Sequence, residues 1–481
     1  MRAQKRRDFM KTATVLGASM LGPTMVHANL KSAPKPTPSS KKSVIVAGAG
    51  IGGLCCAYEL MKMGHEVVVL EASGRHGGHV FTGRDGLSDG LYVDYGAEHI
   101  TKPGYEKYWE YTKEFDLTVL PYPRRVNVMR RIEGKFYSEE MLADPVVLKK
   151  FGFNQKEVNF LSKNPWWNLG SLYYQPYLEK FEDEYQPFGV GYDGWDTMSM
   201  ASLLEKDGAS STALKFLGGS NTSALYNLWQ AGILHLRGVP LSPPEVFRIK
   251  GGNQGMTDAF AKRLGSKVKL NSRIMSIAHG ASGVTVKYRQ FGEEKELSAD
   301  YLANCIPLPA FRKIPVTPAF SEQKRYVIDN LAYGTYARVI FQSASKFWRE
   351  DNLSINMELD HPNIRSIWQV AEEVETERAA LMATGPGGVS PLRALAGFKE
   401  VYPGKSLNVE QALVKDWPSD GFAPTCERLA FPMGTLNKFW PHLMEPVGRI
   451  HFAGSYADNL NWGMEAATRS ANRAALEIDQ A

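Results

Sequence analysis

The sequence predicts an α/β fold built around a dinucleotide-binding domain, and three observations predict it. Ser43-Val44-Ile45-Val46-Ala47 is a short apolar run of strand character that leads straight into Gly48-Ala49-Gly50-Ile51-Gly52-Gly53. Glu66-Val67-Val68-Val69-Leu70-Glu71 is a second buried-strand run, ending in an acid eighteen residues beyond Gly53. Near the C-terminus, Gly448–Ala453 runs into another glycine turn at Gly454-Ser455, and residues from Trp462 to Ile478 then read as a helix. Strand, glycine turn, helix, strand and acid, in that order, form a Rossmann-like unit.

A chain of 481 residues exceeds what one hydrophobic core organises, so two or more domains are expected. With 43% hydrophobic and 22% charged residues, the composition is that of an ordinary globular protein. The net charge of +5 is mostly local, because residues 1–28 hold Arg2, Lys5, Arg6, Arg7 and Lys11 against Asp8 alone. The rest is near neutral and carries no Lys/Arg stripe, so nucleic acid is not an expected partner.

The paired Arg6-Arg7, followed by Phe9, Lys11 and the apolar stretch Thr12–Val26, resembles a bacterial twin-arginine signal, with Val26-His27-Ala28 as its cleavage region. Export to the periplasm is the expectation. The apolar stretch is short and broken by Gly17, Gly22 and Pro23, so no stable membrane span is expected. Residues 29–42 form a Pro/Ser/Lys linker, and the mature fold should begin near Ser43. The four cysteines, Cys55, Cys56, Cys305 and Cys426, show no CxxC spacing, so no metal site is expected, and Cys55 and Cys56 read as small buried residues.

Each part of the first motif has a physical task. Gly48 permits the tight turn, Gly50 admits a pyrophosphate close to the backbone, Gly52 continues that turn, and Gly53 lets the helix pack on the sheet. The helix N-terminus offers unpaired N–H groups and a partial positive charge to the phosphates. Glu71 can accept hydrogen bonds from a ribose diol, and its charge disfavours a 2′-phosphate. Ala72 and Arg75 follow at once, and the Gly77-Gly78-His79 segment supplies a second place for close backbone approach. The chain then runs into Val93-Asp94-Tyr95-Gly96-Ala97-Glu98-His99 instead of another simple strand–helix repeat.

The stretch Val44–Ala97 resembles the flavin monoamine oxidase family, whose strand-GxGxxG-helix-strand-Glu-Ala is followed by a Gly-Gly-Arg and an Asp-x-Gly-Ala segment. Two further blocks are similar to it: Phe247–Met256 with the strand segment Lys267–Ile277, and Gly448–Ala467. The resemblance implies noncovalent FAD, with Ile274 beside the adenosine. Gly454, Ser455, Gly463, Met464 and Ala467 would lie beside the isoalloxazine ring, and Gly96, Ala97 and His79 near the flavin. It implies an FAD-binding domain formed by residues 43–100, 246–318 and 441–481, interleaved with an α+β substrate domain formed by 101–245 and 319–440. A homodimer is left open.

The activity the resemblance implies is oxidation of an amine C–N bond, with hydride passing to flavin and the imine hydrolysed by water. Lys313, in a Pro-rich turn before Ile314, matches the family lysine that holds a water near the flavin; such a lysine is expected to be buried with a lowered pKa. The family's paired aromatics are not matched: Phe422 or Ala423 stands at one place and Gly463 at the other, so Trp462, Trp417 and Phe422 are expected to form a shifted wall. Glu98 is a candidate to hold a cationic amine, the alternative being that Glu98-His99 is a structural or flavin-contacting pair. His79 replaces the family arginine, and Phe422 stands where covalent members have cysteine. No arginine stands out to hold a substrate carboxylate, which makes an L-amino acid a less expected substrate than a simple amine. The aromatic-rich stretch Phe151–Met200 is expected to line or cover the pocket. Rival readings are an FAD-dependent C–C dehydrogenase, which has no need of Lys313, and a noncatalytic FAD-binding interaction protein.

Overall fold

The structure, a computed structural model, describes residues 40–218, 221–350, 353–425 and 427–481. The signal segment, nearly all of the linker and Cys426 lie outside the described residues. Residues 41–481 pack as one unit.

Its centre is a five-stranded, all-parallel sheet. The strands are β1 (Ser43–Ala47), β2 (Glu66–Leu70), β3 (Val268–Lys269), β4 (Tyr301–Asn304) and β5 (Ile450–Phe452), in the spatial order β3-β2-β1-β4-β5. Val44, Ile45, Val46 and Ala47 are all buried, as the continuous apolar run requires of a strand covered on both faces. Strands that are neighbours in space thus come from three separated stretches of chain, which is the interleaved α/β architecture. Helix α1 (Ile51–Lys62) follows β1 and ends before Gly64, whose φ of +95° turns the chain into β2.

Helix α3 (Gly463–Gln480) packs on α1 through a face of small residues, Ala467, Ala471, Ala474 and Ala475. Gly52 lets the turn at Gly454, which precedes α3, come close to α1; a Cβ on Gly52 would sit 3.1 Å from the Gly454 Cα. Cys55 and Cys56 are free thiols buried in this core, and the Cys55 Sγ donates to the Tyr111 hydroxyl at 3.3 Å.

Helix α2 (Glu106–Glu114) crosses the same layer, and its N-terminus is closed by a side chain from α3. The Glu465 carboxylate accepts from Lys107 N at 3.1 Å and Tyr108 N at 2.9 Å, satisfying two first-turn N–H groups. Burial raises the Glu465 carboxyl to about 7, against those two hydrogen bonds. The folded protein therefore holds this proton more tightly than the unfolded chain. That contribution to stability is full below pH ~4.5 and is lost as pH rises through ~7. Glu465→Gln is expected to flatten the fall in melting temperature between pH 5 and 7.5; a slope equal to that of the unaltered protein would contradict the assignment.

The second region is a mixed seven-stranded sheet, largely antiparallel, in which strand Tyr336–Ser343 lies between Val409–Asp416 and Ala379–Pro386. Its far edge comes from Met129–Ile132 and Lys135–Tyr137, so this sheet too joins distant stretches of chain. Residues 151–200 are mainly helical, and their aromatics pack on one another and on helix Ala224–Leu236: Tyr192 stacks on Trp195 with centroids 4.4 Å apart, and Tyr173 and Phe181 are buried with Trp229. Among the described residues, no helix is long and apolar enough to cross a membrane.

Candidate active site

A cavity of about 420 Å³ runs along the C-terminal ends of β1 and β2, where parallel sheets present their loops. It begins at the first glycine turn. Gly48 has φ +98°, a conformation that L side chains rarely adopt. A Cβ on Gly53 would lie 1.9 Å from the Gly48 carbonyl oxygen, so this glycine sets the strand-to-helix packing and does not line the cavity. Gly50 is the reverse case: a Cβ there would meet no protein atom within 4 Å, and the residue lines the cavity. No side chain caps α1, so its first N–H groups are left for a ligand.

Glu71, Ala72, Arg75 and Ile274 line the cavity beyond this turn. Glu71 Oε2 accepts from Ala49 N at 2.8 Å, and Oε1 accepts from Ser73 N and Ser73 Oγ at 2.8 Å each. The carboxylate is thus fixed by the turn it serves, with acceptor capacity remaining. Arg75 lies over the Phe81 ring at 4.4 Å and donates to the Gly78 carbonyl at 2.7 Å.

Further along, Gly78, His79, Gly96, Ala97, Gly454, Ser455, Gly463, Met464 and Ala467 line the same cavity. Gly96 is required by contact, since a Cβ there would fall 1.6 Å from the His79 carbonyl oxygen. The His79 ring stacks on Trp417 with centroids 3.9 Å apart, and neither ring nitrogen has a hydrogen-bond partner. Burial and the nearby Arg338 lower it to about 3, so it is neutral at any physiological pH. Backbone N–H groups at a helix start, an acid just past β2 and glycines along the wall fit FAD.

At the far end stand Lys313, Trp462, Phe422 and Glu98. The structure brings these four into one cavity but changes the reading of several. Lys313 is exposed instead of buried, because it sits on the turn just past the short helix Leu308–Phe311. Glu98 does not offer a free carboxylate to a cationic amine: Oε1 pairs with Arg124 Nη1 at 2.7 Å and faces Arg338 Nη1 at 3.9 Å. Burial alone would raise its carboxyl, and the two guanidiniums outweigh that and hold it down at about 2.

Trp417 lies behind His79 and does not line the cavity; Tyr105, Tyr333 and Tyr336 do, beside Trp462. None of residues 151–200 lines it, because their aromatics are spent on their own core. Two arginines not singled out in the sequence, Arg125 and Arg338, are in the wall. Tyr336 and Arg338 share one face of their strand by simple alternation, a signal that was present in the sequence.

Residues 51–479 match the family described as flavin containing amine oxidoreductase. The chain belongs to this family. It is an FAD-dependent oxidoreductase that acts on amine C–N bonds. Among its curated relatives are the L-amino acid oxidase of Bothrops pictus, 25% identical over 475 residues covering 92% of this chain and 91% of that one, and the L-amino-acid oxidase of Vipera ammodytes ammodytes, 26% identical with 92% and 94% covered. Among solved structures, cyclohexylamine oxidase from Brevibacterium oxydans IH-35A shares the fold at TM-score 0.74 and 22% identity, covering 92% of this chain and 99% of the other. Putrescine oxidase bound to putrescine does so at 0.75 and 20%, covering 92% and 100%.

Proposed function

We propose that this flavin amine oxidoreductase oxidises amines that carry a neighbouring carboxylate, the α-amino acids. The observation that carries the reading is the placement of Arg125 and Arg338 in the cavity wall, where Glu98 is already engaged by Arg124. The Arg125 Nη1 donates to the Pro243 carbonyl, and burial followed by the neighbouring Arg124 lowers its pKa, as for a guanidinium short of counter-charge. A guanidinium offers five donors in a planar fork that suits a carboxylate. The names of the curated relatives support the same class and the L configuration.

When bound, FAD supplies the two-electron oxidation of the C–N bond, giving an imine that water hydrolyses. The chain's own residues prepare that step. Gly50, Gly52 and the start of α1 hold the pyrophosphate, and Glu71 holds the ribose. The start of α3 at Gly463 directs backbone N–H groups toward the ring end of the cavity, favouring negative charge there. Tyr105, Tyr336 and Trp462 wall the substrate, Arg125 orients its carboxylate, and Lys313 Nζ holds a water. FAD is held noncovalently in this reading, since Phe422 offers no nucleophile and His79 is tied against Trp417. Export by the twin-arginine route is proposed from Arg6-Arg7 and the apolar stretch that follows.

The test compares kcat/KM for an L-amino acid with that for its decarboxylated amine, in the unaltered protein and in Arg125→Gln. The expected result is a preference for the amino acid that falls by about 10- to 100-fold in the variant, the worth of one charge-assisted contact. Equal efficiency with both substrates before mutation would reject the carboxylate reading while leaving amine oxidation intact.

A further inference from the structure

Glu98 and His99 are adjacent in sequence and together at the substrate end of the cavity, and their geometry is that of an oriented base. Both line the cavity. His99 Nδ1 faces Glu98 Oε1 at 3.6 Å; it is closed off from water and has no hydrogen-bond partner of its own. The His99 side chain nevertheless keeps 37% of its surface exposed. With Nδ1 shut away, that exposure belongs to the opposite edge of the ring, which carries Nε2. The negative charge of Glu98 on that side favours a proton on Nδ1 and leaves Nε2 as the acceptor.

We infer that His99 Nε2 is the group that removes the proton from the substrate ammonium, with Glu98 as the positioning residue that holds its tautomer. The inference rests on the reading of amine oxidation. An alkyl ammonium has no lone pair and cannot give up hydride from its α-carbon. Transfer to His99 breaks one N–H bond of the ammonium and forms one N–H bond at Nε2, leaving a neutral amine and an imidazolium beside the Glu98 carboxylate. The proton then leaves to water through the exposed edge of the ring, and the flavin remains the oxidant of the following C–H step.

The charged and titratable surroundings suit this task. Arg124, from the loop after strand Val119–Pro121, and Arg338, from strand Tyr336–Ser343, both reach Glu98. Tyr105 at the start of α2, Arg125, Lys313 and Glu427 line the same cavity.

The experiment uses the FAD-loaded full chain and measures kcat/KM across pH, alongside a histidine-selective ¹⁵N spectrum. His99→Asn is expected to retain flavin and lose about 10²–10⁴-fold in kcat/KM near neutral pH. The loss should shrink about tenfold per pH unit as the pH approaches the pKa of the amine itself, since the neutral amine is then already present. Glu98→Gln removes the charge that favours the imidazolium and should move the ascending limb of the pH profile to lower pH. The resonance pair missing from the His99→Asn spectrum should show a proton on Nδ1 and none on Nε2. A loss that is uniform across pH, a limb that Glu98→Gln does not move, or a neutral ring protonated at Nε2 would overturn the proposal. Failure of every amine to react with the unaltered protein would instead overturn the functional reading, and this proposal with it.

Discussion

Gly50→Ala is expected to leave the fold intact and abolish practical FAD binding, whereas Gly53→Ala is expected to damage both. The two glycines lie three residues apart in one motif and differ in what surrounds them. At Gly50 the backbone is ordinary, with φ −67° and ψ 172°, and a Cβ would meet no protein atom within 4 Å. Alanine there should therefore change the melting temperature of the flavin-free protein by no more than about 2 °C, since it introduces no strain or overpacking. The new methyl would stand where the pyrophosphate must approach the backbone, and the Kd for FAD should rise by about 100-fold or more, equivalent to ~2.7 kcal/mol. At Gly53 the Cβ would lie 1.9 Å from the Gly48 carbonyl oxygen and 3.3 Å from the Cys305 Cβ. Helix α1 must lift from β1, at a cost of about 1–3 kcal/mol or more, and flavin is lost as a consequence. Flavin titration and thermal unfolding of the flavin-free proteins separate the two outcomes. Equal destabilisation by both substitutions would refute the division of labour.

Glu98→Ala carries the second large expected effect. Glu98 is 4% exposed, and its partners Arg124 and Arg338 come from two other parts of the chain. Removing one member of a buried pair leaves uncompensated charge and typically costs about 3–5 kcal/mol. The pH dependence follows from the same contact. The Glu98 carboxyl is depressed from 4.5 to about 2, so its stabilising contribution is present above pH ~4.5 and lost as pH falls through ~2. The unaltered protein should lose stability steeply in that acid range, and Glu98→Ala should begin lower and lose less there. An unchanged melting temperature at pH 7 would mean that the carboxylate and its arginines do not hold one another.

The parallel sheet and the glycine turns that line the cavity were legible because their determinants are local. A strand, a glycine turn and an acid at fixed spacing are read along the chain, and every proposed cofactor-side position except Gly53 lines the same cavity. Gly53 contributes packing instead, as its place at the strand–helix contact requires. The substrate side was less legible because it is assembled across long separations. Arg338 comes to the cavity through pairing of Tyr336–Ser343 with strands that begin at Ala379 and Val409, and no short motif marks that pairing. Trp462 takes its place only because Gly104, some 360 residues earlier, has no side chain; a Cβ there would fall 2.2 Å from the Trp462 ring. Aromatic density in 151–200 gave no means of telling a wall from a core, since both bury the same residue types. The sequence could not choose between a substrate-holding and a structural role for Glu98, because Arg124 and Arg338 lie 26 and 240 positions away.

The central claim, that this chain binds FAD and uses it to oxidise amines, is tested most directly by an anaerobic absorbance spectrum of the purified protein titrated with amino acids and amines. The account predicts an oxidised flavin band that an amine substrate bleaches without oxygen, with L-amino acids the most effective class. A flavin band that no amine bleaches would contradict the assigned chemistry, and a folded protein that takes up no flavin would contradict the account at its root.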